Sequence, residues 1–137
     1  MKLYASSKLR VWENLSLTLR EFKVKLLGYR SYVASIRQTG TDPIEILNVF
    51  ENTLDLKITD SIYDGDGEYA ITFDKTFDLD TVYVTLSSAA GNSADPISFQ
   101  MYSTDMTIYS LSGGSGADNV IGNANAITIL EIRVYNQ

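Results

Sequence analysis

Large apolar residues recur at Trp12, Leu15, Leu19, Phe22, Leu26, Tyr29, Val33 and Ile36, spaced 3-4-3-4-3-4-3. That spacing is the seam of a helix or a short coiled coil. Ser6 and Ser7 stand where a helix start wants a side-chain oxygen. The same stretch carries a rival pattern. Leu15-Ser16-Leu17-Thr18-Leu19 and Phe22-Lys23-Val24-Lys25-Leu26 each alternate strictly, as two strands with a bulge between them would. Gly28 can end either element. One helical face gathers most of the large apolar side chains, so the pattern favours a helix over about 7–27. From Ser31 to Gln38 the β-branched and aromatic content predicts a strand instead.

After Gly40-Thr41-Asp42-Pro43 the pattern is β throughout. Short apolar runs alternate with turn residues, as in an all-β sandwich or barrel. The runs are Ile44–Leu54, Leu56–Tyr63, Tyr69–Phe73, Thr81–Ser87, Ile97–Met101, Met106–Tyr109 and Ile127–Tyr135. Asp64-Gly65-Asp66-Gly67 reads as a tight turn, because glycine supplies the positive φ that hairpins need. Ala89–Pro96 and the stretch from about 111 to 125, with Gly113-Gly114-Ser115-Gly116 at its tip, read as loops. In the last run Thr128, Leu130, Ile132 and Val134 face one way, and Ile127, Ile129, Glu131, Arg133 and Tyr135 the other. Apolar residues on both faces predict a central strand. The fold class expected is mainly β: an antiparallel β-sandwich, jelly-roll or immunoglobulin-like, with a basic N-terminal helical or extended arm. Residues 1–39 form the arm and 40–137 the sandwich.

Composition narrows the chemistry. The 137 residues include no Cys and no His. That removes a thiol nucleophile, an imidazole base, a Ser-His-Asp relay and the usual zinc sites. A chain of this length makes one domain and buries enough surface to need no staple. No apolar run reaches the ~18 residues of a membrane-spanning helix, and the first five residues lack the apolar core of a signal peptide. Formal net charge is −6. Residues 1–37 hold eight bases and two acids, or +6, whereas 38–137 hold three bases and fifteen acids, or −12. The two parts can attract each other within one fold, or a basic arm can dock on an acidic neighbour. The bases alternate with Leu, Val and Phe and no stacking platform accompanies them, so nucleic acid is not an expected partner.

Several blocks resemble a known group. Tyr29-Arg30-Ser31-Tyr32-Val33-Ala34-Ser35-Ile36-Arg37-Gln38-Thr39-Gly40-Thr41-Asp42-Pro43 and Phe50-Glu51-Asn52-Thr53-Leu54 resemble segments of virion proteins from phages of Bacteroidota, including crAss-like phages. Gly67-Glu68-Tyr69-Ala70-Ile71-Thr72-Phe73-Asp74-Lys75-Thr76-Phe77 is similar to a strand pair of phage fibre-tip domains and H-type-lectin-like sandwiches. The ending, Ile129-Leu130-Glu131-Ile132-Arg133-Val134-Tyr135-Asn136, is similar to how such proteins close. The resemblance spans roughly 29–137 and carries over no sugar-binding position. It implies a small all-β subunit of a phage particle: a fibre, a head decoration or a tail attachment.

Candidate sites compete with plainer readings. Asp60, Asp64, Asp66 and Glu68 suggest calcium, but glycine falls at the fourth place of the loop and Lys75 stands where the closing Glu belongs. A solvated hairpin turn explains them better. Asp74, Asp78 and Asp80 are candidates for the paired acids of a glycoside hydrolase, and turn residues otherwise. Tyr102, Tyr109 and the loop 111–125 are the best candidates for a ligand-binding tip, since loops on a rigid sandwich carry recognition.

The function expected is that of a structural virion component, acting by protein–protein assembly with no catalysis, no cofactor and no metal. Trp12, Leu15, Leu19, Phe22 and Leu26 supply the buried area of its interface, and Arg20, Lys23 and Lys25 set orientation and rate. The partners expected are other capsid or tail proteins and further copies of the chain, a homotrimer first among them. Membrane insertion is not expected. The alternative is a carbohydrate-binding module that recognises a host-surface glycan.

Overall fold

A computed structural model describes residues 19, 21, 22, 24–90, 97–112, 115–122 and 126–136. Among them nine strands form: β1 (Tyr29–Arg37), β2 (Glu45–Asn52), β3 (Ile58–Gly65), β4 (Glu68–Phe73), β5 (Val82–Ala90), β6 (Ile97–Met101), β7 (Asp105–Ser112), β8 (Ser115–Gly116) and β9 (Ala126–Tyr135). One sheet runs β2-β1-β9-β5 and the other β3-β4-β7-β6, with β8 on β7. All pairings are antiparallel. The fold is an antiparallel β-sandwich, mainly β, as the alternation predicts.

Period-two patterning builds the core. Tyr32, Ala34 and Ile36 of β1, Leu130 and Ile132 of β9, Tyr69, Ile71 and Phe73 of β4, and Met106 and Ile108 of β7 turn inward and pack together. Phe73 and Phe77 meet edge to face, with centroids 5.4 Å apart. Strand β9 lies between β1 and β5, the central place expected for it. Strand β2 departs from simple alternation. Its register shifts twice against β1, so Leu47 and Phe50 are extra residues with no partner opposite, and both stay exposed. Bulges of this kind spoil an edge strand as a template for another chain.

One sequence expectation changes and one pair of alternatives is decided. The boundary between arm and sandwich moves from residue 39 to about 28, because β1 is an interior strand of the first sheet, paired with both β2 and β9. Charge placed the boundary too late: Arg30 and Arg37 are basic yet belong to the sandwich, where they pair with Glu21 and Glu45. The alternatives decided are the favoured helix over about 7–27, which holds in its described part, and the strand over 22–26. Residues 19, 21, 22 and 24–27 are helical. A strand would turn Phe22, Val24 and Leu26 to one side, but only Val24 is buried.

The ends of the sandwich differ. One gathers the turn 38–44, the Asp66-Gly67 turn and the segment 115–122. The other gathers the helical residues, the segments 53–57, 74–81 and 102–104, and the end of β9.

Candidate docking surface

The helical segment ends at Gly28, which has φ +72 and donates its N–H to the Val24 carbonyl at 3.0 Å. This left-handed closure favours glycine. Asn136 N–H donates to the Gly28 carbonyl at 3.0 Å, which ties the helix exit to the end of β9. Arg30 Nη2 lies 3.2 Å from Glu21, and Arg30 Nη1 donates to the Thr53 carbonyl at 3.4 Å. The ion pair is exposed and adds little energy of its own.

Helical geometry then decides which face is left over. At about 100° per residue, Leu19, Phe22 and Leu26 share one side and Val24 projects opposite. Val24 is 4% exposed, whereas Leu19, Phe22 and Leu26 are 60%, 62% and 74% exposed. The helical part of the seam, Leu19, Phe22 and Leu26, therefore points away from the sandwich, whereas its last members, Tyr29, Val33 and Ile36, lie in β1. Lys25 is exposed beside the helical part, as is Leu27. Trp12, Leu15, Arg20 and Lys23, also assigned to this interface, lie outside the described residues.

The ligand-tip expectation needs correcting. Tyr102 sits in the β6–β7 turn, where its N–H donates to the Asp105 carbonyl at 2.8 Å. Tyr109 lies four residues further along β7, opposite Glu68 and Ser98. At about 3.3 Å per residue that is roughly 13 Å. Tyr102 belongs to the helix end, and only Tyr109 approaches the segment 115–122. That segment is not an open tip in its described part. Ala117 N–H and carbonyl both bond Ser110, Ile121 is fully buried, and Gln38 N–H donates to the Ile121 carbonyl at 2.9 Å. The remainder of the 111–125 loop, 113–114 and 123–125, lies outside the described residues.

A polar lock holds this end. Gln38, itself buried, donates to the carbonyls of Gly40 and Asp42 and accepts from Asn119 N–H at 2.7 Å. Asp118 accepts from Tyr69 Oη at 2.6 Å, from Tyr63 Oη at 2.9 Å and from Gly67 N at 3.0 Å. Burial alone would raise the Asp118 pKa, but those three donors lower it overall. Burial first, then Asp118, pushes the Tyr69 hydroxyl up to about 12. Tyr63 is raised mainly by its hydrogen bond to Asp66, at 2.8 Å. Its single proton serves Asp66 or Asp118, one at a time. No local pattern announces this lock, because Gln38 and Asn119 are 81 positions apart.

The remaining acids act locally. Asp60 accepts from Ser61 N–H, Asp74 from Lys57 N–H and Asp78 from Asp80 N–H. Only the Asp78 bond is an Asx turn; the Asp74 bond ties residue 74 to the segment 53–57, and Asp60 bonds its own neighbour in β3. Among the described residues no three acids gather closely enough to hold a metal ion.

The architecture is thus a β-sandwich locked by polar contacts at one end and bearing an outward-facing apolar helix at the other. Compared with protein-family models, with curated proteins and with solved structures, the chain matches none.

Proposed function

We propose that this protein is a non-enzymatic structural subunit, a component of a bacteriophage particle such as a head or tail fibre or a decoration protein, which assembles through its N-terminal helix. One observation carries the reading: Leu19, Phe22 and Leu26 are exposed, and Val24 alone is buried among the described helical residues. Covering such side chains is worth about 1–2 kcal/mol each, given that each is already partly shielded. A contiguous apolar helix face left open on a folded domain marks an interaction surface. The phage context rests on the sequence resemblance over 29–137. The 3-4 spacing continues back to Trp12, which favours a homotrimer built on a coiled seam.

The test is solution mass by light scattering for the full chain and for the double variant Phe22→Glu/Leu26→Glu. The expected result is an oligomer, a trimer first, that becomes a monomer in the variant with its circular dichroism unchanged. A monomeric wild type at tens of micromolar would overturn self-assembly, and an oligomer unaffected by the variant would overturn the helix as its seam.

A further inference from the structure

The outer face of the first sheet carries a second surface, separate from the helix seam. Along β9, Leu130 and Ile132 point into the core, so Glu131, Arg133 and Tyr135 point out. Register sets Tyr83 of β5 and Ser31 of β1 on either side of Arg133, and Tyr29 of β1 beside Tyr135. Three tyrosines therefore surround one arginine on the central strand, near the helix end of the sheet. The Arg133 guanidinium lies 4.7 Å from the Tyr29 ring centroid, and its Nε donates to Glu131. The Tyr29 and Tyr135 rings are 5.4 Å apart and tilted by 56°. Hydrogen bonds to Tyr135 and then Glu131 raise the Arg133 pKa, so its charge is permanent. Tyr83 and Tyr135 are 52% and 43% exposed.

The chemistry of this face selects its ligand. An apolar protein surface laid over it would strip water from the Arg133–Glu131 pair, a costly step. A ligand with both an apolar face and a rim of hydroxyls avoids that cost. Its C–H face stacks on a tyrosine ring, while its hydroxyls exchange hydrogen bonds with the guanidinium and the carboxylate in place of water. A pyranose sugar has that build. The site is also rigid before binding. Arg133, Glu131 and Tyr135 stand on the central strand β9 and Tyr83 on the edge strand β5 beside it, and the stacking on Tyr29 and the bond to Glu131 hold Arg133 in place, so little ordering cost remains. We propose that Tyr83, Tyr135, Arg133 and Glu131 bind a neutral pyranose glycan, with Tyr29 positioning Arg133. One shallow face binds one sugar weakly, and copies held together multiply the effect.

Saturation-transfer NMR on the full-length protein tests this with the methyl β-glycosides of glucose, galactose, mannose and N-acetylglucosamine at millimolar concentration. At least one glycoside should receive saturation on its ring C–H protons. Tyr83→Ala should weaken that binding about fivefold, the loss of roughly 1 kcal/mol of stacking. Tyr83→Phe, which keeps the ring, should retain it. The exposed position of Tyr83 leaves the fold intact, checked by circular dichroism. Silence from all four glycosides, or equal binding in Tyr83→Ala, would overturn the site. The Phe22→Glu/Leu26→Glu variant should still bind, so failure of assembly and failure of this site are read separately.

Discussion

Replacing Asp118 with alanine tests the polar lock most directly. The carboxylate serves three donors, and two of them are buried: the Tyr69 side chain is fully enclosed and Gly67 is buried at its turn. Removing the acceptor strands the Gly67 N–H and leaves the Tyr69 hydroxyl only a long contact, 3.4 Å, to the Ala117 carbonyl. A buried donor without a partner costs about 1–3 kcal/mol. Water reaches the rim of the site, so the sum falls near the low end, at about 2–4 kcal/mol. In a chain of this length each kcal/mol moves Tm by about 3–5 °C, so Asp118→Ala should melt roughly 10 °C early. Urea unfolding at pH 7 gives the free energy directly. Tyr69→Phe removes one donor but leaves Asp118 with two, so it should cost less. An Asp118→Ala midpoint equal to wild type, or a Tyr69→Phe variant that is the weaker of the two, would show that Asp118 does not hold this end together.

The pH dependence has a definite sign. Asp118 is depressed in the folded state, so its contribution is present above the unfolded value of about 3.9 and is lost as pH falls through the folded value. Tyr69 is raised to about 12, so its contribution is full below about 10 and is lost as pH rises through 12. Wild-type stability should therefore decline on both flanks, below about pH 4 and above about pH 10. Asp118→Ala should flatten the acid flank.

Three further outcomes follow from the geometry. Gly122 (φ +62) and Gly40 (φ +58) share a backbone conformation, but an added Cβ would meet the Ile36 carbonyl oxygen at 2.1 Å in the first and nothing in the second. Urea unfolding should show Gly122→Ala costing more than Gly40→Ala by about 1–3 kcal/mol. A chain beginning at Gly40 loses β1, and with it Tyr32, Ala34 and Ile36 from the core, so it should show no cooperative thermal transition by circular dichroism. Val24→Asp should release the helix from the sandwich, raising proteolysis of residues 19–27 while the core's melting temperature stays nearly constant.

Alternation was the legible part of this chain. Tyr69, Ile71 and Phe73 can face only one way in a strand, and Leu130 and Ile132 likewise, so the sandwich follows from local pattern. Long-range register was not legible. Nothing near Tyr83 announces Arg133, fifty positions away, as its neighbour across the sheet. The signal available was weaker: Tyr83 and Tyr135 each fall on the more polar side of their strands. Tyr102 and Tyr109 read as parts of one ligand-binding tip, yet the turn at 102–104 leaves one at an end of β7 and carries the other up the strand. The apolar residues Ile46, Leu47, Val49 and Phe50 mark a strand without showing which of them is buried, and two register shifts on an edge strand leave most of them in solvent.

Moving the arm's boundary to residue 28 also redistributes the charge. Residues 1–28 hold Lys2, Lys8, Arg10, Arg20, Lys23 and Lys25 against Glu13 and Glu21, or +4, and residues 29–137 hold five bases against fifteen acids, or −10. A basic arm on an acidic body attracts the body of a neighbour at distances up to the Debye length, about 8 Å at physiological salt. Such attraction speeds encounter, whereas packing of Leu19, Phe22 and Leu26 sets how long the contact lasts. The two contributions separate kinetically. Raising salt, or changing Lys25 to Gln, should slow association with little change in dissociation. Truncating Phe22 or Leu26 to Ala should speed dissociation and leave the salt dependence of association intact. If Lys25→Gln instead lengthened or shortened the lifetime of the complex while association stayed constant, the basic residues would be part of the buried contact, and the division of labour argued from the exposed helix face would fail.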